Sequence, residues 1–156
     1  MVFCVVTGGK VAETESLPDC DLAVFGFEGL GEVDYEKELR GETEKFEEAA
    51  RLSKDCGCGL VCGCRTVSRG LVRKSAAVSD RGKLLGISDM LHVLDCEDFK
   101  SGSSLGFYKV NGFKIGLCIG NDLLFPETVK SLSMCGCNAI VAMLEEVRDN
   151  VPPLLI

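Results

Sequence analysis

Residues 114–128 bring a thiol, an amide and a carboxylate close together in the chain, at Cys118, Asn121 and Asp122. A thiolate can attack a carbonyl carbon when a nearby base accepts its proton, and Glu28, which follows another apolar run, is a candidate base. Glu28, Asn121 and Asp122 are also candidate binding residues, because their side chains can hydrogen-bond a polar ligand. The alternative for Cys118 is a buried core cysteine, which the apolar residues around it favour.

Four more thiols lie in the segment 56–64, at Cys56, Cys58, Cys62 and Cys64. Thiolates bind zinc, copper(I) and iron–sulfur centres. Structural zinc sites favour two cysteines separated by two residues. Here Cys56 and Cys58, like Cys62 and Cys64, are separated by one residue, and on a strand this spacing points both sulfurs to the same side. We therefore expect these thiols to pack in the core without a metal ion. A thiol-rich metal-binding module is the alternative.

Hydrophobic patterning predicts the elements that position these residues. Apolar residues alternate with small ones over 115–119, which indicates a core strand. Pro126 suits the first turn of a helix that Gly136 ends, so a strand turns into a helix around Asn121 and Asp122. The other predicted elements are strands at 2–7, 22–25, 59–67, 71–79, 83–94, 106–110, 113–119 and 138–144, a helix at 34–54, and turns at 69–70 and 80–82.

Composition limits the class of protein. The chain has 156 residues, of which 46% are hydrophobic, and we expect one domain over residues 1–156. A net charge of −7 without a lysine and arginine cluster argues against nucleic-acid binding and against binding to anionic membranes. Residues 1–6 are too short for a secretion signal and have no basic flank, so we expect a cytoplasmic protein whose ten cysteines are reduced.

Three ordered segments resemble one family. Residues 116–127 read GLCIGNDLLFPE, which is similar to the pattern G-x-x-I-C-Y-D-x-R-F-P-E of the nitrilase, or carbon-nitrogen hydrolase, superfamily. Residues 82–93 read GKLLGISDMLHV and resemble the family's G-x-I-x-G-x-Y-R-K-I-H-L. Residues 21–27 read DLAVFGF and resemble a strand that ends in the family's general base. The resemblance implies an α/β protein with a layered α-β-β-α sandwich.

The resemblance also implies that the catalytic residues are missing. The family's glutamate, lysine and cysteine fall on Phe27, Met90 and Gly120. Glycine has no side chain to act as nucleophile, and an uncharged thioether cannot stabilise a developing oxyanion. The implied function is a carbon-nitrogen hydrolase-like protein that is catalytically inactive and has a binding or structural role. Because family members continue for roughly as much chain again, we expect a short form that ends after the helix and the next strand.

An active amide or nitrile hydrolase with relocated residues is the main alternative. It would use Glu28 as base and Cys118 as nucleophile. Cys118 lies two residues before Gly120, about 6.5–7 Å back along an extended strand, which is far outside the tolerance of a reacting geometry. His92, the only histidine, excludes a two-histidine metal site and is expected to be a hydrogen-bonded structural residue.

We expect a sheet face to lack its cover, and therefore a homo-oligomer. A small amide or carboxylate is the expected ligand class. No cofactor, nucleic acid or membrane partner is expected.

Overall fold

Sheets dominate the computed structural model, which describes residues 1–95 and 97–145. The last residues of the predicted domain, 146–156, lie outside the described part. The described strands are β1 Phe3–Val6, β2 Leu22–Phe25, β3 Gly31–Asp34, β4 Gly59–Ser68, β5 Leu71–Asp80, β6 Lys83–Asp89, β7 Phe107–Val110, β8 Phe113–Ile119 and β9 Ala139–Met143. The described α-helices are α1 Tyr35–Leu39, α2 Lys45–Cys56 and α3 Pro126–Met134.

The first sheet has the order β1-β2-β4-β5-β6, and β3 also pairs with β4. β1, β2 and β3 are parallel to their neighbours, whereas β4, β5 and β6 form an antiparallel meander. Two-residue turns connect the meander at 69–70 and 81–82, and both residues of each turn have positive φ, as type I′ hairpins require. The predicted hairpin turns are confirmed.

The second sheet has the order β7-β8-β9 and packs face to face on the first. Leu22 and Val61 of the first sheet and Ile115 and Leu117 of the second share one buried cluster between the sheets. The helix α2 covers the outer face of the first sheet, where Leu52 enters a separate buried cluster. The helix α3 covers the outer face of the second sheet. The predicted α/β class and α-β-β-α layering are confirmed.

The structure differs from the predicted elements in three places. The predicted single helix over 34–54 is wrong, because Gly41, at φ +73°, lies between α1 and α2 in a conformation that an α-helix cannot include. The strand β3 was not predicted, and β6 ends at Asp89 and does not reach 94. Asp34 begins α1, since its carboxylate accepts a hydrogen bond from the Lys37 N–H, which satisfies a free donor at the helix start.

The inner face of the first sheet extends beyond the second sheet at β1. Phe3 pairs with Leu22 and Val5 with Val24, so these β1 side chains point toward the inter-sheet side. Phe3 and Val5 are nevertheless 49% and 69% exposed. The alternate β1 residues pack against the outer cluster. An apolar strip of the inner face on β1 is therefore uncovered by the described residues.

A close backbone approach limits residue 63 to glycine. A Cβ at Gly63 would lie 2.8 Å from the backbone carbon and oxygen of Gly26 and 2.6 Å from Met143 Cε. The loop that follows β2 therefore lies directly against β4, because a glycine of β4 admits it.

We expect Gly63→Ala to lower the free energy of unfolding by about 1–3 kcal/mol, because a backbone contact must move to admit the methyl group. Gly26→Ala is the matched control, since its Cβ would meet nothing within 4 Å and its φ is not positive. Urea denaturation of both variants measures the difference. Equal stability of the two would contradict the close approach.

Candidate functional site

A glycine in left-handed conformation forms the turn from β8 into α3. Gly120 has φ +57°, a region that glycine occupies without strain, and a short 3-10 turn runs over Gly120–Leu124. Pro126 then begins α3, as predicted. The chain reverses direction here within a few residues. Position 120, at the end of β8, faces the space between the two sheets.

The carboxylate of Asp122 ties this turn to the loop after β6. Asp122 is only 2% exposed. It accepts hydrogen bonds from the backbone N–H groups of Leu91 at 3.0 Å and His92 at 2.9 Å, and its second oxygen lies 3.4 Å from the Ile119 nitrogen. Nδ1 of His92 also lies 2.9 Å from Asp122. Asp122 is therefore a structural carboxylate whose oxygens are used within the protein.

His92 and Asn121 complete this connection. The His92 ring stacks on Phe125 with centroids 3.9 Å apart, so the predicted hydrogen-bonded structural histidine is what the structure shows. The Asn121 side-chain amide donates to the His92 carbonyl at 3.1 Å and to Glu97 Oε2 at 2.7 Å. Both N–H donations of the Asn121 amide are thus directed at the protein itself.

The three positions to which the resemblance assigns the family's catalytic residues all border the space between the sheets. Phe27 and Met90 belong to the same buried cluster. A Cβ at Gly120 would lie 2.7 Å from the Met90 sulfur, and the Asn121 N–H points at that sulfur at 3.4 Å. The space beside residue 120 is therefore filled by a thioether.

A lysine that the sequence analysis did not select lies beside this site. Lys74 is 7% exposed, and its Cδ lies 3.7 Å from the Cβ position of residue 120. Its Nζ lies 3.1 Å from Glu145 and 4.0 Å from Glu97. It also lies 4.8 Å from the centre of the Phe99 ring. The charge of Lys74 is thus compensated by two carboxylates.

The register of β4 and β5 explains why Glu145 is needed. Arg65 and Lys74 face each other directly across the two strands, and like charges in that position repel. Glu145 lies 2.6 Å from the Arg65 guanidinium and 3.1 Å from Lys74 Nζ. The acid after β9 therefore bridges two cations of the first sheet.

The surrogate pair Glu28 and Cys118 is not brought together. Glu28 is exposed and lines a cavity of about 220 Å³ beside Lys10, Lys45 and Glu48, whereas Phe27 before it points between the sheets. The strand end therefore has no bulge that returns Glu28 to the Phe27 position.

Cys118 lies on the α3 side of β8. Its neighbours Leu117 and Ile119 both enter the inter-sheet cluster, and Cys118 does not. The positive φ of Gly120 points position 120 toward Met90, so Cys118 and position 120 do not share a face. Burial, together with the nearby Asp122 charge, raises the pKa of the Cys118 thiol to about 11. At neutral pH this thiol is protonated and a poor nucleophile.

The four cysteines of the segment 56–64 all contact the outer cluster. Burial raises the pKa of Cys58 and Cys64 to about 12 and that of Cys62 well above its usual value. Across residues 1–95 and 97–145, no group of three or more histidine, cysteine, aspartate or glutamate side chains is arranged to hold a metal ion.

Solved structures share this architecture. A glutamine-dependent NAD⁺ synthetase from Acinetobacter baumannii has a TM-score of 0.66 and 19% identity, over 84% of this chain and 27% of that one. A mutant of a Nesterenkonia amidase from the nitrilase superfamily has a TM-score of 0.66 and 17% identity, over 84% of this chain and 54% of that one. The fold is that of the nitrilase superfamily.

Identities of this size establish the nitrilase fold alone. The chain spans about a quarter of the length of the first of these solved structures and about half of the second, at 27% and 54%. No protein-family model matches the sequence, and no curated protein matches it. Within the described residues, no helix is long and apolar enough to cross a membrane.

We expect Asp122→Ala to lower the free energy of unfolding by about 2–4 kcal/mol, because backbone N–H groups of the loop after β6 lose their acceptor. Asp122→Asn keeps one acceptor oxygen and should cost less. Glu127→Ala, in the exposed first turn of α3, is the control and should change stability by less than about 1 kcal/mol. Chemical denaturation measures all three, and an Asp122→Ala cost equal to that of the control would contradict the structural role.

The Glu145 bridge predicts a pH dependence. Partial burial raises the pKa of Glu145, but the hydrogen bond and charge of Lys74, together with Arg65, hold that pKa below its usual value. Such a carboxylate stabilises the fold above its unfolded pKa of about 4.3, and the stabilisation is lost as pH falls through the lower folded pKa. The stability difference between the parent protein and Glu145→Gln should therefore shrink below about pH 4. Urea denaturation of both proteins at several pH values measures this difference. A difference that does not change with pH would contradict the predicted role of the Glu145 carboxylate.

Proposed function

We propose that this protein is a catalytically inactive member of the carbon-nitrogen hydrolase-like proteins, with a structural or binding role. The observation that carries the proposal is the position of Met90. Its sulfur occupies the space directly beside residue 120, where a Cβ would lie only 2.7 Å away. A substrate carbonyl cannot approach residue 120 through that space unless the thioether moves.

The chemistry of the surrounding groups supports inactivity. A structure of a mutant of the Nesterenkonia amidase shows the result of Michael addition of acrylamide at the active-site cysteine. That structure is 18% identical to this chain, with a TM-score of 0.67. The residue that corresponds by resemblance to such a cysteine is Gly120, which cannot form a covalent intermediate. The positions of the base and the cation hold the buried apolar side chains of Phe27 and Met90.

Lys74 is the one described cation that lies against position 120, and it supplies charge without catalytic function in this proposal. Its ammonium group lies 3.1 Å from Glu145 and 4.0 Å from Glu97, so its charge is compensated within the protein. With Asn121 and Asp122 also bonded within the protein, the polar groups here favour a structural role over a bound amide or carboxylate.

A structural role also agrees with the uncovered strip on β1. Phe3 and Val5 extend the inner face of the first sheet without a covering layer among the described residues. Exposed apolar surface of this kind commonly forms an interface. We propose that a second copy of the chain covers it in a homo-oligomer. A cytoplasmic location is part of the proposal, since free thiols such as Cys62 and Cys64 persist in a reducing compartment.

Native mass spectrometry before and after incubation with a panel of small amides and nitriles tests the proposal. We expect an oligomer whose subunit mass does not change, because no thiolate is presented to the substrate. An amidase with an active-site cysteine, treated in parallel, is the positive control. A substrate-derived mass increment on one cysteine of this protein would overturn the proposed inactivity.

The same spectra test the interface through a surface variant. Val5→Lys should shift the subunit number toward the monomer, because it places a charge on the apolar strip. Leu71→Lys is the control, since Leu71 is an exposed strand residue away from β1. A monomeric parent protein, or equal assembly of both variants, would contradict the proposed interface.

A further inference from the structure

A second concave surface lies on the helix side of the first sheet, away from Gly120. It is a groove of about 840 Å³ between α1, the start of α2 and β6. Tyr35, Leu39, Phe46 and Ile87 supply apolar walls. Its volume is within the range of about 300–1,000 Å³ that is typical of small-molecule sites. We call this surface the α1–α2 groove.

The apolar lining of the α1–α2 groove is accessible. Leu39 is 88% exposed and Leu84, which also lines the groove, is 37% exposed. The rings of Tyr35 and Phe46 lie 6.1 Å apart and tilted by 44°, so aromatic surface faces the same space. An apolar ligand would bury side chains here that are in contact with water in the free protein.

Charges around the groove are mostly negative. Glu36, Glu38 and Glu47 line it, against one cation, Arg69. Glu36 already accepts hydrogen bonds from the Ser68 hydroxyl and the Arg69 N–H.

Glu47 is the carboxylate available to a ligand. Arg51, four residues further along α2, forms its salt bridge with Glu44 instead. Within residues 1–95 and 97–145, no hydrogen bond or salt bridge engages the Glu47 carboxylate. The neighbouring Glu48 lies on a different side of α2 and lines the small cavity beside Glu28. Glu38 accepts a hydrogen bond from the Lys45 N–H at 2.9 Å. Among the described residues, Glu47 is therefore the lining carboxylate that remains free at the edge of this apolar, partly aromatic surface.

We propose that the α1–α2 groove binds a small organic cation, an amine with an apolar body. The apolar body would lie against Leu39 and Phe46, and the ammonium group beside Glu47. Aromatic faces and carboxylates both attract ammonium groups, whereas the excess of glutamates repels anions. This site does not depend on whether the residues around Gly120 are inactive.

A matched set of three probes separates charge from hydrophobic contact. Phenylbutylamine, phenylbutanol and phenylbutyrate share one apolar body and differ in the charge of the head group. Titration calorimetry or NMR titration of the full chain should give a Kd of about 1 mM or lower for the amine, at least about fivefold weaker binding for the alcohol, and none for the carboxylate. Equal binding of amine and alcohol, or no binding of the amine, would overturn the proposal.

Two pairs of variants locate the site. Glu47→Gln should weaken the amine about fivefold and leave the alcohol unchanged, whereas Glu48→Gln, on the same helix, should leave both within about twofold. Leu39→Lys should abolish amine binding by repulsion, and Met134→Lys, an equally exposed helix residue at 80%, should not. Leu39 and Met134 are both exposed, so we expect both variants to fold. A loss of amine binding then reports on the groove and not on unfolding. If either control weakens the amine as much as its partner, the ligand binds elsewhere and the assignment is wrong.

Discussion

The buried carboxylate of Asp122 is the interaction on which the rest of the site depends. It accepts hydrogen bonds from backbone N–H groups of the loop after β6 and of the end of β8. These two segments lie about thirty residues apart in the chain. Without an acceptor at this point, these buried and partly buried donors would lose their partner in the protein, which costs free energy for each bond lost. The carboxylate therefore fixes Met90 and Gly120 relative to each other, whatever the chemistry of those two residues.

The interior beside that turn is filled by groups that compensate one another. Met90 supplies apolar volume, and Lys74 lies against position 120 with its charge held by Glu145 and Glu97. A buried ion pair seldom adds much net stability, because desolvation offsets the attraction, but removing one partner leaves an uncompensated charge. A substitution that removes Lys74, or its partner Glu145, would therefore leave a charge here without compensation. Packing and backbone hydrogen bonds together hold the fold in this region.

Local patterns determined which parts of the structure could be predicted. The hairpin turns, the start of α3 at Pro126 and most strands depend on residues near in sequence, and their predictions are confirmed. The break at Gly41 was visible as a glycine, but whether a helix continues through it depends on tertiary packing. The strand β3 could not be recognised, because its pairing with the second half of β4 follows from topology.

The candidate site shows the same division. The resemblance placed Phe27, Met90 and Gly120 in a common region, and the structure brings them together. Lys74 was missed because a lysine in a strand is ordinarily a solvated residue, and its burial depends on Glu145, which lies some seventy residues away. Arg65 and Lys74 lie directly opposite each other, which would have indicated the need for a nearby acid. That indication requires the register of β4 and β5, which the sequence alone does not give.

The meander β4-β5-β6 has a consequence for the order in which the chain folds. Its strands join through two-residue turns, so their pairing closes short loops and costs little chain entropy. The parallel pairings of β1 with β2 and of β2 with β4, like the Asp122 contacts, close much longer loops and should form later. We therefore expect the meander to form before β2 and β3 join the sheet. Until then, the edge of β4 that pairs with them has no partner. The contacts around Gly120 should likewise form after the meander, because the Asp122 hydrogen bonds join residues about thirty positions apart in the chain.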